Sequence, residues 1–367
     1  MHIDRRKLLG LTIVTLWNPN PRLSAMPILN RFQRAVQVLE DAVKSRQVES
    51  ATMYVRDGDE QYEWAFGNCV KQSSFLLGSI SKPMAMAAFM TLHAKGLFQL
   101  DDPVSKYIQE FKHDNRESVL IRHLLTHTSG LPDQVSENAT LRKNHAGLSD
   151  FVKATLTTPL HFQPGTRYEY SSMGILLASE IGQRLSGIEF KAFVRQSVFE
   201  PLGMKHSAFG REPLQRDRIV PSQVEFGAPE AGGGSPDAAN WNWNSDYWRD
   251  LGAPWGGAHA SAADVGKFLE SFLNPTGILF SSDIAKLMIR NHNAAGLESR
   301  GLGFDVGMEL NCPGCSGVTF GHTGSTGTIA WADPAKERVC VVLTSLPAGA
   351  TKEHPRQLAS NLVAGVS

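Results

Sequence analysis

The sequence predicts an α/β (α+β) fold: one antiparallel sheet built from both chain ends, flanked by helices, with an inserted and mainly helical lobe. Strand patterns cluster near the two ends, and helical patterns separated by proline turns fill the middle. The 367 residues are 42% hydrophobic, which suffices for a packed core. We expect residues 26–100 and 265–367 to form the α/β lobe and residues 101–264 to form the inserted lobe.

The individual elements follow from the spacing of apolar residues. Steps of three and four predict an amphipathic helix over Ile28–Val43, and alternation around a turn at Asp57-Gly58-Asp59 predicts a β-hairpin over Ala51–Phe66. A second helix is expected from Ser79 to Ala94, ending at Gly96. The pattern then predicts three short strands and a closing helix: Val318–Gly321, Thr328–Ala332, Val339–Thr344 and a helix around Arg356–Val363.

One stretch, 225–257, is rich in glycine, proline and large aromatic residues. The aromatic residues are Trp241, Trp243, Tyr247, Trp248 and Trp255. This composition does not favour a regular helix. Two interpretations stay open: a loop that lines a pocket, or a loop fastened to the surface by its own aromatic side chains.

The charge balance limits the kinds of partner. The chain has 36 Lys and Arg against 36 Asp and Glu, so its formal net charge is zero. Proteins that bind nucleic acids or membrane surfaces usually carry a broad positive field. We therefore expect no nucleic-acid partner and a small-molecule or peptide substrate.

The N-terminus is typical of an export signal. Arg5, Arg6 and Lys7 precede the apolar run Leu8–Trp17, and the small residues Ser24 and Ala25 follow. The paired arginines suggest the twin-arginine route, so residues 1–25 are predicted to be a signal peptide and the protein periplasmic or extracellular. About ten apolar residues are too few for a stable membrane span. The alternative is an ordinary N-terminal helix with a basic start.

The four cysteines do not form a disulfide framework. Cys312 and Cys315 are close enough in sequence to close a small bridge in an oxidising compartment, whereas Cys69 and Cys340 are expected to be buried thiols. A zinc site would need further ligands at tight spacing. No metal and no cofactor are predicted.

The segment Ser79-Ile80-Ser81-Lys82 follows an apolar approach at the start of a predicted helix. Residues three apart lie on one helix face, so the Ser79 hydroxyl and the Lys82 amine can touch. A desolvated lysine can take the proton of a serine and make it nucleophilic. Alone, this tetrapeptide is weak evidence and is more typical of a helix cap followed by a solvated lysine.

Further motifs occur in a fixed order around this segment. They are His123–Leu131 (HLLTHTSGL), Pro164-Gly165-Thr166-Arg167, Tyr170-Ser171-Ser172, Pro201-Leu202-Gly203-Met204 and His322-Thr323-Gly324. With S-x-x-K, the set resembles the class C β-lactamase superfamily, which also holds D-Ala-D-Ala carboxypeptidases, D-aminopeptidases and β-lactamase-like esterases. The resemblance runs from about Ser50 to Ser345 and implies a β-lactamase/transpeptidase-like fold.

The resemblance implies a role for each matching residue. Ser79 would be the acylated nucleophile and Lys82 its base. Tyr170 would relay the proton toward the leaving group. His322 stands where the family has Lys or His, and would help hold Tyr170 ionised or bind a substrate carboxylate.

The resemblance also implies how the substrate is held. The oxyanion hole would consist of the backbone amides of Ser79 and Ser325, and the strand carrying Thr323, Gly324 and Ser325 would lie against the substrate. Ser172 departs from the family pattern, which has asparagine at this position. A serine is shorter and makes fewer hydrogen bonds, so recognition of an acylamino side chain is weakened and ester substrates are favoured.

Two histidines of the HLLTHTSGL segment allow another interpretation. His123 and His127 are four residues apart and could share a metal ion. In the family this segment is a structural turn, so buried, hydrogen-bonded histidines are expected instead.

The predicted function is therefore an exported serine hydrolase that forms an acyl-enzyme on Ser79 and cleaves ester or amide bonds of small substrates. Within the same fold, the alternatives are a D-Ala-D-Ala carboxypeptidase or a β-lactamase, acting on cell-wall peptides or β-lactams. A non-catalytic, penicillin-binding-like protein is the alternative outside the enzymes.

Overall fold

The structure is a computed structural model and describes residues 31–112, 114, 116–307 and 312–365. The predicted signal peptide lies outside the described residues. The helices are α1 Gln33–Lys44, α2 Ser81–Ala94, α3 Ile121–Leu125, α4 Asn138–Lys143, α5 Leu148–Thr157, α6 Ser172–Ser186, α7 Phe190–Val194, α8 Asp246–Leu251, α9 Ala262–Leu273, α10 Ser282–Met288 and α11 Pro355–Ala364.

The strands form two sheets. They are β1 Ser50–Asp57, β2 Glu60–Gly67, β3 Phe75–Leu76, β4 Ala208–Phe209, β5 Ala258–Ala260, β6 Asp305–Val306, β7 Phe320–Gly324, β8 Thr328–Asp333 and β9 Arg338–Thr344. The larger sheet has the order β2-β1-β9-β8-β7-β6, and its neighbouring strands are antiparallel. This confirms the predicted α/β fold, because strands from both chain ends share one sheet.

Both faces of the larger sheet are covered. Along β9, Val339, Val341 and Leu343 pack into one core with α9, whereas Cys340 and Val342 pack into a second core with α1 and α11. Side chains alternate between the faces of a strand, so a strand buried on both faces is apolar throughout. The run Val-Cys-Val-Val-Leu therefore marks a central strand.

One strand is shifted along the chain relative to its prediction. The strand predicted to begin at Val318 begins at Phe320, which pairs with Ala332. Val318 is 59% exposed, and Thr319 N donates to Ser316 O at 3.1 Å. A turn therefore occupies the two residues that sequence pattern alone assigned to the start of the strand.

The segment predicted to form the inserted lobe, residues 101–264, shares a sheet and a hydrophobic core with the rest of the chain. It contains α3 to α8, but also β4 and β5, which form a small sheet with β3 in the order β3-β5-β4. The core on the α9 face is also shared between the middle segment and the chain ends. The division into lobes at residues 100 and 264 stays a prediction.

The cysteines follow the predictions in part. Cys312 and Cys315 are joined by a disulfide, with their Cα atoms 5.5 Å apart. Cys340 is fully buried, but Cys69 is half-buried and donates to two carbonyl oxygens. Within the described ranges, no helix is both long and apolar enough to cross a membrane.

The turn between β7 and β8 depends on Gly327. Its φ is +97°, and a Cβ at this position would lie 1.8 Å from Leu346 O. This carbonyl belongs to backbone and cannot move away cheaply.

We expect Gly327→Ala to lower the free energy of unfolding by at least about 2 kcal/mol, because both backbone strain and a steric clash oppose it. Urea denaturation followed by circular dichroism measures the change. Gly349→Ala is the control, since a Cβ there meets no atom within 4 Å. Equal stability of the two variants would contradict this role of the turn.

Candidate active site

Ser79 is presented by a tight turn rather than by the helix itself. Residues Gly78–Ile80 form a 3-10 turn, and α2 begins at Ser81, two residues later than predicted. Gly78 has φ +56°, and a Cβ there would lie 3.2 Å from both Gly324 Cα and Ser325 N. Glycine at this position therefore lets the end of β7 approach the turn that carries Ser79 without backbone strain.

Two threonine side chains fasten this approach. Thr326 Oγ1 donates to Leu76 O at 2.7 Å, and Thr328 Oγ1 donates to Leu77 O at 2.7 Å. The segment before Ser79 and the β7–β8 turn are thus held together by side chains as well as by packing. Ser79 and Ser325 line the same cavity as a result.

Lys82 lies on the first turn of α2 and is 1% exposed. Its Nζ donates to Ser79 Oγ at 3.0 Å and to Trp255 O at 2.9 Å. Burial lowers the pKa of Lys82 to about 7, and the Arg300 guanidinium adds to this, whereas Asp133 opposes it. A substantial fraction of the amine is therefore neutral near neutral pH and able to accept a proton.

The aromatic ring of Tyr170 lies against the Lys82 amine. The Lys82 Nζ is 4.6 Å from the centroid of the Tyr170 ring, and the Arg300 Cζ is 5.4 Å from it. Burial raises the pKa of the Tyr170 phenol, although the Arg300 charge and a hydrogen bond with Ser79 counteract the rise. The phenol is therefore protonated in the resting protein and is placed to act as an acid.

His322 is held in one orientation by two hydrogen bonds. Arg300 Nη2 donates to His322 Nε2 at 2.7 Å, so the ring proton lies on Nδ1, which donates to Thr323 O at 2.7 Å. Burial and the nearby charges of Arg300 and Lys82 lower the pKa of His322 well below its usual value. The ring is neutral, so it does not supply the positive charge that the sequence led us to expect.

The cation beside Tyr170 is Arg300 instead. Its side chain is 2% exposed and forms an ion pair with Asp305, in addition to its bond with His322. Arg300 lies in the segment between α10 and β6, in no recognised motif. Sequence analysis missed it because only the fold brings this segment beside Tyr170.

Ser172 has a partner of its own. Its hydroxyl donates to Asp133 Oδ1 at 2.5 Å, and its backbone N–H donates to the same oxygen at 3.0 Å. The hydroxyl proton is therefore engaged at the start of α6, and Asp133 lines the cavity and places its charge near Lys82. Asp133 is the second residue of the site that sequence analysis missed.

The histidines of the HLLTHTSGL segment have structural roles. His127 lies beneath Tyr170, with ring centroids 4.6 Å apart, and its Nδ1 accepts from Ser171 N at 3.2 Å. His123 Nδ1 accepts from Leu120 N at 3.2 Å. His123 therefore orders a local turn, whereas His127 holds the segment just before α6 and supports the Tyr170 ring.

A cavity of about 150 Å³ opens above Ser79. Trp243, Trp248 and Trp255 form part of its wall, which favours the pocket-lining interpretation of the aromatic stretch. Part of that stretch is the short helix α8, which the composition did not predict. The other lining residues are Gly78, Ser79, Asp133, Gln134, Arg142, Tyr170, Ser172, Glu230, Gly256 and Ser325.

Residues 35–364 match the family model described as beta-lactamase. The chain belongs to the β-lactamase family. Among curated relatives of this β-lactamase-family protein, the esterase EstB of Burkholderia gladioli is 28% identical over 352 residues, which are 85% of this chain and 87% of that protein. A penicillin-binding protein of Bacillus subtilis is 29% identical over 202 residues, which are 52% of this chain and 44% of that protein.

Solved structures show the same fold. EstCE1, a hydrolase with promiscuous acyltransferase activity, has a TM-score of 0.75 at 19% identity, covering 91% of this chain and 98% of that one. At this identity the likeness shows the fold. Together with the relatives, family membership supports a hydrolase.

In this β-lactamase-family protein, the neutral His322 can be tested by NMR. We expect the imidazole to stay neutral, with the proton on Nδ1, from about pH 8 to about pH 6, whereas a free imidazole titrates near about pH 6.5. Nitrogen-15 shifts of the ring report both the charge and the tautomer.

The variant Arg300→Met removes the nearby positive charge and should raise the pKa of His322. Arg290→Met is the control, because this exposed arginine lies in the same connecting segment. A pKa of His322 near about 6.5 in the wild type would contradict its neutral state, and an unchanged pKa in Arg300→Met would contradict the effect assigned to Arg300.

Proposed function

We propose that the chain is an exported serine hydrolase, which forms an acyl-enzyme on Ser79 and cleaves esters of small carboxylic acids. The contact between Lys82 Nζ and Ser79 Oγ, at 3.0 Å, supports this most directly. Since burial lowers the pKa of Lys82 to about 7, the amine can act as a base at neutral pH.

Acylation follows from this geometry. Lys82 Nζ accepts the hydroxyl proton as Ser79 Oγ attacks the ester carbonyl carbon and forms a new C–O bond. The negative oxygen that develops is stabilised by the backbone N–H groups of Ser79 and Ser325. The bond to the leaving oxygen then breaks, and Tyr170 donates its phenolic proton to that oxygen.

The proton balance is then restored within the site. The Lys82 ammonium passes its proton to the Tyr170 phenolate, whose ring it contacts. In the second half of the reaction, Lys82 accepts a proton from water as the water oxygen attacks the acyl carbon. Cleavage of the acyl bond returns this proton to Ser79 Oγ. Arg300 lowers the free energy of the transient phenolate by its positive charge.

Ester substrates are favoured over peptides and β-lactams by the state of Ser172. Its hydroxyl is engaged by Asp133, so the site presents an acceptor where the family asparagine presents an amide donor. The esterase EstB among the relatives agrees with this preference. A D-Ala-D-Ala carboxypeptidase or β-lactamase is the second candidate, which the penicillin-binding relative favours.

Export is part of the proposal and rests on the basic and apolar N-terminal sequence. The Cys312–Cys315 disulfide agrees with an oxidising compartment.

A fluorescent fluorophosphonate should label the purified protein covalently on Ser79, because an activated serine attacks phosphorus as it attacks an ester carbon. Labelling is detected by in-gel fluorescence and located by peptide mass spectrometry. Ser79→Ala should abolish it. Folded wild-type protein that takes no label would exclude the covalent mechanism.

Turnover assays with the same purified protein distinguish the substrate classes. Faster turnover of p-nitrophenyl butyrate than of nitrocefin and a D-Ala-D-Ala peptide supports the esterase. The reverse order would support the second candidate.

The rate of labelling should rise with pH through about 7 and level off above, since only the neutral amine of Lys82 accepts the serine proton and its pKa is about 7. Stopped-flow fluorescence measures the rate constants. Lys82→Met should lower the rate at least about 100-fold, in the range of a lost general base. Lys95→Met is the control, on the exposed C-terminal end of the same helix. A rate independent of pH between about 6 and 8 would exclude Lys82 as the base.

A further inference from the structure

Arg142 is a buried cation in the wall of the cavity that holds Ser79. It lies on α4, is 1% exposed, and stacks on Trp248, with its Cζ 3.9 Å from the ring centroid. Burial lowers the pKa of Arg142 only to about 10, so the guanidinium stays charged near neutral pH.

The guanidinium is not saturated with hydrogen bonds. In the part of the chain that the structure describes, its one acceptor is Asn138 Oδ1, which Nε contacts at 3.1 Å, and the buried Nη1 has no partner. A buried donor without an acceptor lowers the free energy of unfolding by roughly 1–3 kcal/mol, and by more when it is charged. The Arg142 guanidinium can therefore donate a further hydrogen bond to an acceptor oxygen that a ligand brings into the cavity.

A series of contacts connects Arg142 to the nucleophile. Trp248 packs edge-on against Trp255, with ring centroids 6.3 Å apart. The carbonyl of Trp255 accepts from Lys82, which contacts Ser79. Two indole rings thus separate the guanidinium from the reacting serine, along one wall of the cavity.

The charges of the cavity decide which kind of oxygen fits. Asp133 and Glu230 also line it, and Lys82 is partly neutral. Two carboxylates oppose the entry of a third, whereas a neutral carbonyl oxygen accepts from a guanidinium without this repulsion.

We propose that Arg142 binds a neutral carbonyl oxygen within the acyl group of the substrate, and thereby selects short oxo-acyl esters over plain alkanoyl esters. This rests on the proposed acylation of Ser79. A cavity of about 150 Å³ admits a short chain of this kind. Arg142 is thus a specificity-determining residue.

Two matched substrates test the proposal. In p-nitrophenyl levulinate, a carbonyl replaces one methylene group of p-nitrophenyl valerate, and the leaving group is the same. We expect wild-type kcat/KM to be at least about tenfold higher for levulinate, which is the effect of one hydrogen bond to a charged donor. A ratio near one would overturn the proposal.

The same ratio of kcat/KM values, measured on variants, tests whether Arg142 causes the preference for levulinate. Arg142→Met should reduce the ratio to near one, and Arg142→Lys, which keeps the charge, should retain part of it. Arg116→Met is the matched control, since Arg116 is also buried and lies over an aromatic ring, that of Phe111, but does not line the cavity. A high ratio that survives in folded Arg142→Met would overturn the assignment.

Three outcomes of these assays would each contradict a different part of the proposal. Preference for the p-nitrophenyl hemisuccinate over levulinate would overturn the choice of a neutral acceptor. If the wild type hydrolyses neither levulinate nor valerate, and Ser79 takes no fluorophosphonate, the proposed function itself fails. Hydrolysis of both esters at equal rates overturns the role of Arg142 alone.

Discussion

The site depends on a buried lysine amine that, among the residues the structure describes, forms no ion pair. Lys82 Nζ is bonded to a hydroxyl and to a carbonyl, neither of which neutralises an ammonium group. Removal from water is then the largest effect on its pKa, which falls to about 7. A carboxylate in direct contact would reverse this and leave Lys82 protonated. The fold therefore produces a base by packing Trp255 and α2 around the amine, and by keeping Asp133 at a distance.

The positive charge that acts on Tyr170 is carried by a different residue, Arg300. Asp305 and His322 hold this guanidinium behind Tyr170, so its charge acts on the phenol without occupying the cavity. Base and cation are thus separate residues beside one tyrosine. This separation lets Lys82 change its protonation state while the field at Tyr170 persists, because an arginine stays protonated through the cycle.

Local spacing determined what the sequence could predict. Ser79 and Lys82 are three residues apart, so helical geometry alone brings them together. Apolar runs and, in β2, alternation are local patterns too, and they located β1, β2, β8 and β9. Arg300 and Asp133 reach the site only through tertiary packing, and no local pattern marks them. The neutral state of His322 was also hidden, since it follows from burial and from Arg300 rather than from residue type. The α/β fold was predictable because apolar runs report burial directly.

The pairing of β1 with β9 has a consequence for how the chain folds. Ala51 lies opposite Thr344, so the centre of the sheet joins residues that are almost a whole chain apart. Closing so long a loop must precede any gain from the contacts it creates, which slows folding. On the ribosome, the first hairpin emerges long before its partner strand exists. One edge of β1, with its backbone donors and acceptors, therefore stays unpaired until Arg338–Thr344 has been made.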